Sequence, residues 1–131
     1  MNQVKSEMLK IYKPKGLDWL GYRITRQNPF SYHHIQKACD GGLKTIENGA
    51  ILTTISHEYL NIIELKDYDI YLSLNRMLQI INNQQHSPTL EEYRIINSYL
   101  KNFEREHISD VNSKGRILIK SAYLKRSIYD L

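Results

Sequence analysis

Ile70, Tyr71, Leu74, Met77, Leu78 and Ile81 fall at the three- and four-residue intervals of one helix face, and the stripe ends in the polar run from Asn82 to His86. A second such face follows. Thr89 with Glu92 three residues later has the form of a capping box, and Tyr93, Ile96, Leu100 and Phe103 continue an inner face to about His107. Two long helices, each with one apolar side, must bury those sides against a core. A chain of 131 residues supports one such core rather than two, so residues 1–131 are read as a single domain.

Upstream of the stripe the pattern changes. Val4, Met8, Leu9 and Ile11 suggest a short helix over Asn2 to Tyr12, interrupted by Pro14 and Gly16. From Leu17 to Thr25 the pattern does not separate strand from helix. Ser31 to Gln36 reads as extended, Lys37 to Glu47 as a loop around Gly41 and Gly42, and Gly49 to Thr53 as a second short strand. A helix is expected to start near Thr54 or Ser56, either of them available as cap, and to run to about Glu64. Past Ile108 the residues Ser109, Asp110, Asn112, Ser113 and Gly115 mark a connection. Ile117, Leu118, Ala122, Leu124 and Ile128 then suggest a last helix, with strand an alternative for 116–119. The expected class is α+β: a strand, loop, strand, helix unit over 30–64 and a helical part over 67–131.

Composition removes several function classes. Apolar residues make up 41% and charged residues 24%, with no long Pro, Gly or Ser tract, which is a globular balance. No run approaches eighteen apolar residues, and Lys5, Glu7 and Lys10 break up the amino-terminal stretch, so the expected setting is cytoplasmic with no membrane partner. Cys39 is the lone cysteine, which excludes an internal disulfide and a four-cysteine zinc site. Any metal must be held mainly by His, Asp, Glu or Asn. The net charge of +4 is unevenly spread: residues 1–26 hold six Lys/Arg against two acids, 27–113 seven against eleven, and 114–131 five against one. Basic ends of this kind can track a phosphate backbone, or simply be solvated.

The middle segment carries the residues with chemistry. His33 and His34 are adjacent, Gly41 and Gly42 follow, Asn48 stands fourteen residues after His34, and His57 nine residues after Asn48. With Ile35 after the paired histidines and Ile51-Leu52 on the second strand, this window resembles the HNH, or ββα-metal, endonuclease family. That family's pattern is an Asp or His before a catalytic His, then Asn, then a His on the following helix. The resemblance covers about thirty residues and implies a ββα-metal hairpin-plus-helix core packed against several helices, mainly carboxy-terminal. Where some members carry a further His one turn after the last, Asn61 stands here. The paired CxxC motifs that brace many members are absent, so the chain resembles a knuckle-free variant.

The spacing also makes sense by itself. Neighbouring strand residues point to opposite faces, so His33 and His34 can serve different tasks. A helix packed on the hairpin can present His57 toward His33, with Asn61 on the same helix face. By the resemblance, His33, His57 and Asn61 form an open site for one divalent ion (Mg, Mn, Zn or Ni), His34 is the general base, and Asn48 holds the loop between the strands. Imidazole suits base catalysis because its ordinary pKa is about 6.5. The implied activity is metal-dependent hydrolysis of DNA phosphodiester bonds, with Tyr32, Lys37 and Lys44 as candidate nucleic-acid contacts and a protein partner as a possible source of specificity. The competing reading is an inactive HNH-like metal-binding protein that binds nucleic acid or a protein partner, in a phage or mobile-element setting. His86 and His107 are read as structural, Cys39 as inert, and most of the ten tyrosines as packing residues.

Overall fold

The structure, a computed structural model, describes residues 2–107. Asn2 is extended, and its side-chain oxygen accepts from the Lys5 amide at 3.0 Å, which starts the helix Gln3–Tyr12 (α1). Lys13 ends that helix in the left-handed region at φ 47°. Phe30–His34 (β1) then pairs antiparallel with Gly49–Thr53 (β2), with Tyr32 opposite Ile51 and His34 opposite Gly49. The first strand ends at His34 rather than at Gln36. Beyond it the Gln36 amide donates to the Asn48 side chain instead of to a facing strand.

The helix Thr54–Lys66 (α2) follows without a linker. Its cap is Thr53, not Thr54 or Ser56: the Thr53 hydroxyl accepts from the Ser56 amide and the Ser56 hydroxyl accepts from the Thr53 amide. The expected stripe becomes the helix Tyr68–Gln84 (α3), capped by Asp67, and the capping box of Thr89 and Glu92 starts the helix Leu90–His107 (α4). Tyr93, Ile96, Leu100 and Phe103 are all buried, as the periodicity predicts. Although Asn82 opens the polar run it is buried, and its amide donates to the carbonyls of Ile46 and Gly49 at 2.7 and 2.8 Å.

Every residue of β2 is buried, because the hairpin has protein on both faces. On one side Tyr32 and Met8 of α1 close over Gly49, where an added Cβ would lie 2.5 Å from the tyrosine ring and 2.8 Å from the methionine sulfur. On the other side α2 and α3 reach Ser31, His33 and Ile35.

Leu17 to Thr25 is neither helix nor regular strand. An isolated bridge between Leu17 and Arg23 closes it, and its organiser is Asp18, which is fully buried. The Asp18 carboxylate accepts from the Leu20 and Tyr22 amides at 2.9 Å each, from the Thr53 hydroxyl at 2.8 Å and from the Ser56 hydroxyl. Burial pushes this carboxyl up, and the donors from Ser56, Tyr22, Thr53 and Leu20 act against it. Asp18 thereby sets Trp19, Leu20 and Tyr22 into the core and braces the cap of α2.

The last helix expected from Ile117 to Ile128, its strand alternative at 116–119 and the basic cluster at 114–131 lie outside the described residues. Among the described residues no helix is long and apolar enough to cross a membrane.

Candidate functional site

Strand alternation sorts the candidate residues by face. Ser31 and His33 share one face, and both reach His57 on the first turns of α2. The Ser31 hydroxyl lies 2.8 Å from His57 Nδ1, and the His33 and His57 rings meet edge to face with centroids 5.4 Å apart. Tyr32 and His34 share the other face, with ring centroids 4.9 Å apart.

His33 is buried at 6% exposure, and its Nε2 lies 2.9 Å from Asn75 Oδ1. The Asn75 amide nitrogen donates to the Ile35 carbonyl at 2.8 Å, so the amide oxygen must face the ring and His33 Nε2 is the donor. Nδ1 of His33 therefore carries the lone pair. Burial pushes the His33 pKa down to about 4, with the neighbouring charges of His57 and His34 acting in the same direction and Asn75 opposing. His57 is also lowered, first by burial and then by His34. The His33 ring is thus neutral near pH 7.

Two imidazoles so placed could hold one cation between them. Each ring has one nitrogen engaged by a protein group and the other left over, the pattern by which ligating histidines are held in tautomer and orientation. Metal–nitrogen bonds of about 2.1 Å at a near-tetrahedral angle put two ligating rings about 5 Å apart, close to the spacing of this pair. Asn61 stands one turn beyond His57 on α2, and it is exposed. Among the described residues the His, Cys, Asp and Glu side chains that group in threes as potential metal ligands are Asp67, Glu106 and His107, away from the hairpin. There Asp67 already caps α3 and pairs with His107 at 2.8 Å, and His107 stacks on Phe103, so that grouping fastens the end of α4.

Asn48 holds the loop with every polar atom of its amide. Its oxygen accepts from the Gln36 amide at 2.7 Å, and its nitrogen donates to the carbonyls of Gln36 and Leu43 at 2.9 Å each. These three bonds run across the loop between the strands. Gly41 sits at φ 89°, and Gly42 presses on the Gln36 carbonyl where a Cβ would come within 1.8 Å.

The expected nucleic-acid contacts fare differently. Tyr32 is buried, its hydroxyl donates to the Thr45 carbonyl at 2.6 Å and accepts from the Thr45 amide at 3.0 Å, so it is a strut across the loop and not a stacking surface. Lys44 lies over the Tyr32 ring with its ammonium 5.5 Å from the centroid. Lys37 pairs with Glu64 at 2.5 Å rather than standing free for phosphate. His86 is exposed and bonds locally to the Ser87 carbonyl, and Cys39 is exposed and unpaired in any disulfide.

Two residues that hold the histidine pair were not singled out from the sequence, Ser31 and Asn75. Ser31 carries a signal, since it is two residues from His33 and so on the same strand face. Asn75 and Asn82 are two helical turns apart on α3, and both donate to hairpin or loop carbonyls. Comparison with protein-family models, with curated proteins and with solved structures finds no match for this chain.

Proposed function

We propose that residues 30–64 form an HNH-type, metal-dependent endonuclease site that hydrolyses DNA phosphodiester bonds. The observation that supports it best is the His33–His57 pair, with Asn75 and Ser31 occupying one nitrogen of each ring and His34 next to it on the strand. His33 Nδ1 and His57 Nε2 are the ligands in this reading, with Asn61 offering a third donor at the open side. When bound, a divalent cation (Mg, Mn, Zn or Ni) supplies charge that stabilises the phosphate oxygens and the leaving sugar oxygen.

The chain's own residues supply the rest. His34 takes the proton from a water that attacks phosphorus, and the bond from phosphorus to the sugar oxygen breaks to leave a phosphate monoester and a hydroxyl. Among the described residues no protein hydrogen bond holds the His34 imidazole, whose ring lies edge to face with that of Tyr32. It is free to accept that proton. Asn48 fixes the loop behind β1 and so the direction from which His34 projects.

Purified protein incubated with plasmid DNA and each of the four ions is expected to nick it with at least one of them. His34→Ala abolishes nicking and leaves the bound metal content unchanged, whereas His57→Ala lowers both. No nicking with any ion, with metal still bound, refutes the nuclease and supports a metal-binding protein that docks on nucleic acid or a protein partner.

A further inference from the structure

Beside the histidine pair lies a hollow of about 350 Å³ whose walls include Lys37, Asp40, Glu64, Tyr68, Tyr71 and Asn75. Asn75 is common to both places: the amide that holds His33 also lines this hollow. Tyr68 remains 57% exposed although Tyr71, itself buried, covers one side of its ring at 5.8 Å and 21°. A large aromatic side chain backed by a second ring and open on its outer side offers a stacking face that the core does not use. The Lys37–Glu64 ion pair in the wall sets an ammonium donor directly beside a carboxylate acceptor. The volume falls within the range of about 300–1,000 Å³ found for small-ligand sites.

We propose that this hollow seats one unpaired nucleobase of the bound strand, stacked on Tyr68, with a keto oxygen toward Lys37 and an adjacent imino or amino N–H toward Glu64. The proposal rests on the reading of the chain as one that acts on nucleic acid, and it specifies single-stranded or locally opened substrate next to the site of cleavage. Base stacking on an aromatic face accepts every base, and the neighbouring ammonium and carboxylate add the preference. Thymine and guanine present a keto oxygen beside an imino N–H; cytosine has the oxygen without that N–H, and adenine has no keto oxygen. The closest competing chemistry, a lone phosphate, is disfavoured by Asp40 and Glu64 in the same wall.

The test is fluorescence anisotropy with short fluorescein-labelled oligo(dT) and oligo(dA), in chelator so that no cleavage takes part. Oligo(dT) is expected to bind several-fold more tightly than oligo(dA). Tyr68→Ala should weaken oligo(dT) binding about fivefold or more, and Tyr68→Phe should retain it. Lys37→Ala should abolish the difference between the two oligonucleotides. Thermal melts of each variant show that the fold is kept, as expected for an exposed ring. Equal binding by wild type and Tyr68→Ala, or no binding of either oligonucleotide, overturns the base seat. Tyr68-dependent binding without plasmid nicking overturns the hydrolytic reading and leaves the seat standing, and nicking without Tyr68-dependent binding does the reverse.

Discussion

Nε2 of His33 lies 2.9 Å from the side-chain oxygen of Asn75, and the nitrogen of the same amide donates to the Ile35 carbonyl two residues further along the chain. One side chain from α3 therefore fixes both the tautomer of a buried imidazole and the end of the strand that carries it.

Asn75→Ala removes that hold. The His33 N–H and the Ile35 carbonyl lose their partner in a part-buried place, which costs about 1–3 kcal/mol in folding stability. In the proposed metal site, loss of an orienting partner lowers affinity roughly 10–100-fold. Isothermal titration with manganese and zinc, beside a urea melt, separates the two effects. An unchanged metal affinity would show that Asn75 is only a structural clamp.

The low pKa of His33 makes the metal-free protein sensitive to acid. Its folded value, about 4, lies below the ordinary imidazole value near 6.5, so the unfolded chain binds more protons between those limits. The contribution is complete above pH 6.5 and is lost as pH falls toward 4, up to about 3 kcal/mol on the order of the shift. Urea midpoints measured in chelator across this window should fall with pH, and His33→Gln should flatten the fall. Equal slopes in the two proteins would contradict the assignment.

Asn48→Ala strips three hydrogen bonds from the loop between the strands and should cost about 2–3 kcal/mol. Asn48→Asp keeps the acceptor for the Gln36 amide but sets a carboxylate oxygen against two carbonyls, so it should recover none of the loss from the nitrogen side. Chemical denaturation measures both. In the proposed nuclease, plasmid nicking should also fall in each, because there the loop positions His34.

Gly42→Ala tests steric need rather than backbone freedom. Its Cβ would meet the Gln36 carbonyl at 1.8 Å and the Asn48 amide nitrogen at 2.9 Å, so the loop must open and the cross-loop bonds loosen. Destabilisation of about 1–3 kcal/mol is expected, as for overpacking. Gly41→Ala, with nothing within 4 Å of its Cβ, meets only the backbone cost of φ 89° and should lose less. The order of the two melting temperatures decides the point.

Periodicity made the long helices readable, because Leu74, Leu78, Ile96 and Leu100 do in the fold what their spacing announces. The hairpin and α2 were readable for the same reason, with ends shifted by a residue or two. Leu17 to Thr25 was opaque because it has no periodicity of its own: its shape depends on a carboxylate whose partners, Thr53 and Ser56, lie thirty-five and thirty-eight residues away. The cap of α2 was misplaced for a related reason. Thr53 looks like a strand residue, and three hydroxyl-bearing choices within four residues, Thr53, Thr54 and Ser56, compete until Asp18 selects one. At the site, the spacing of His33, Asn48 and His57 was legible. Asn75 was hidden, since a lone amide in a helix gives no hint of the loop it will meet. Tyr32 misled because an aromatic beside two histidines looks like a contact surface, and only the loop conformation reveals that its hydroxyl is spent on Thr45.

The Asp18 carboxylate reaches across to the residues that begin α2, and His57 sits on the first turns of that helix. The histidine pair consequently inherits its alignment from a segment that precedes the hairpin and from a helix that follows it. A peptide spanning only 30–64 would carry the three imidazoles without their framing, so transplanting that stretch into another scaffold would move the letters of the site and leave its grammar behind.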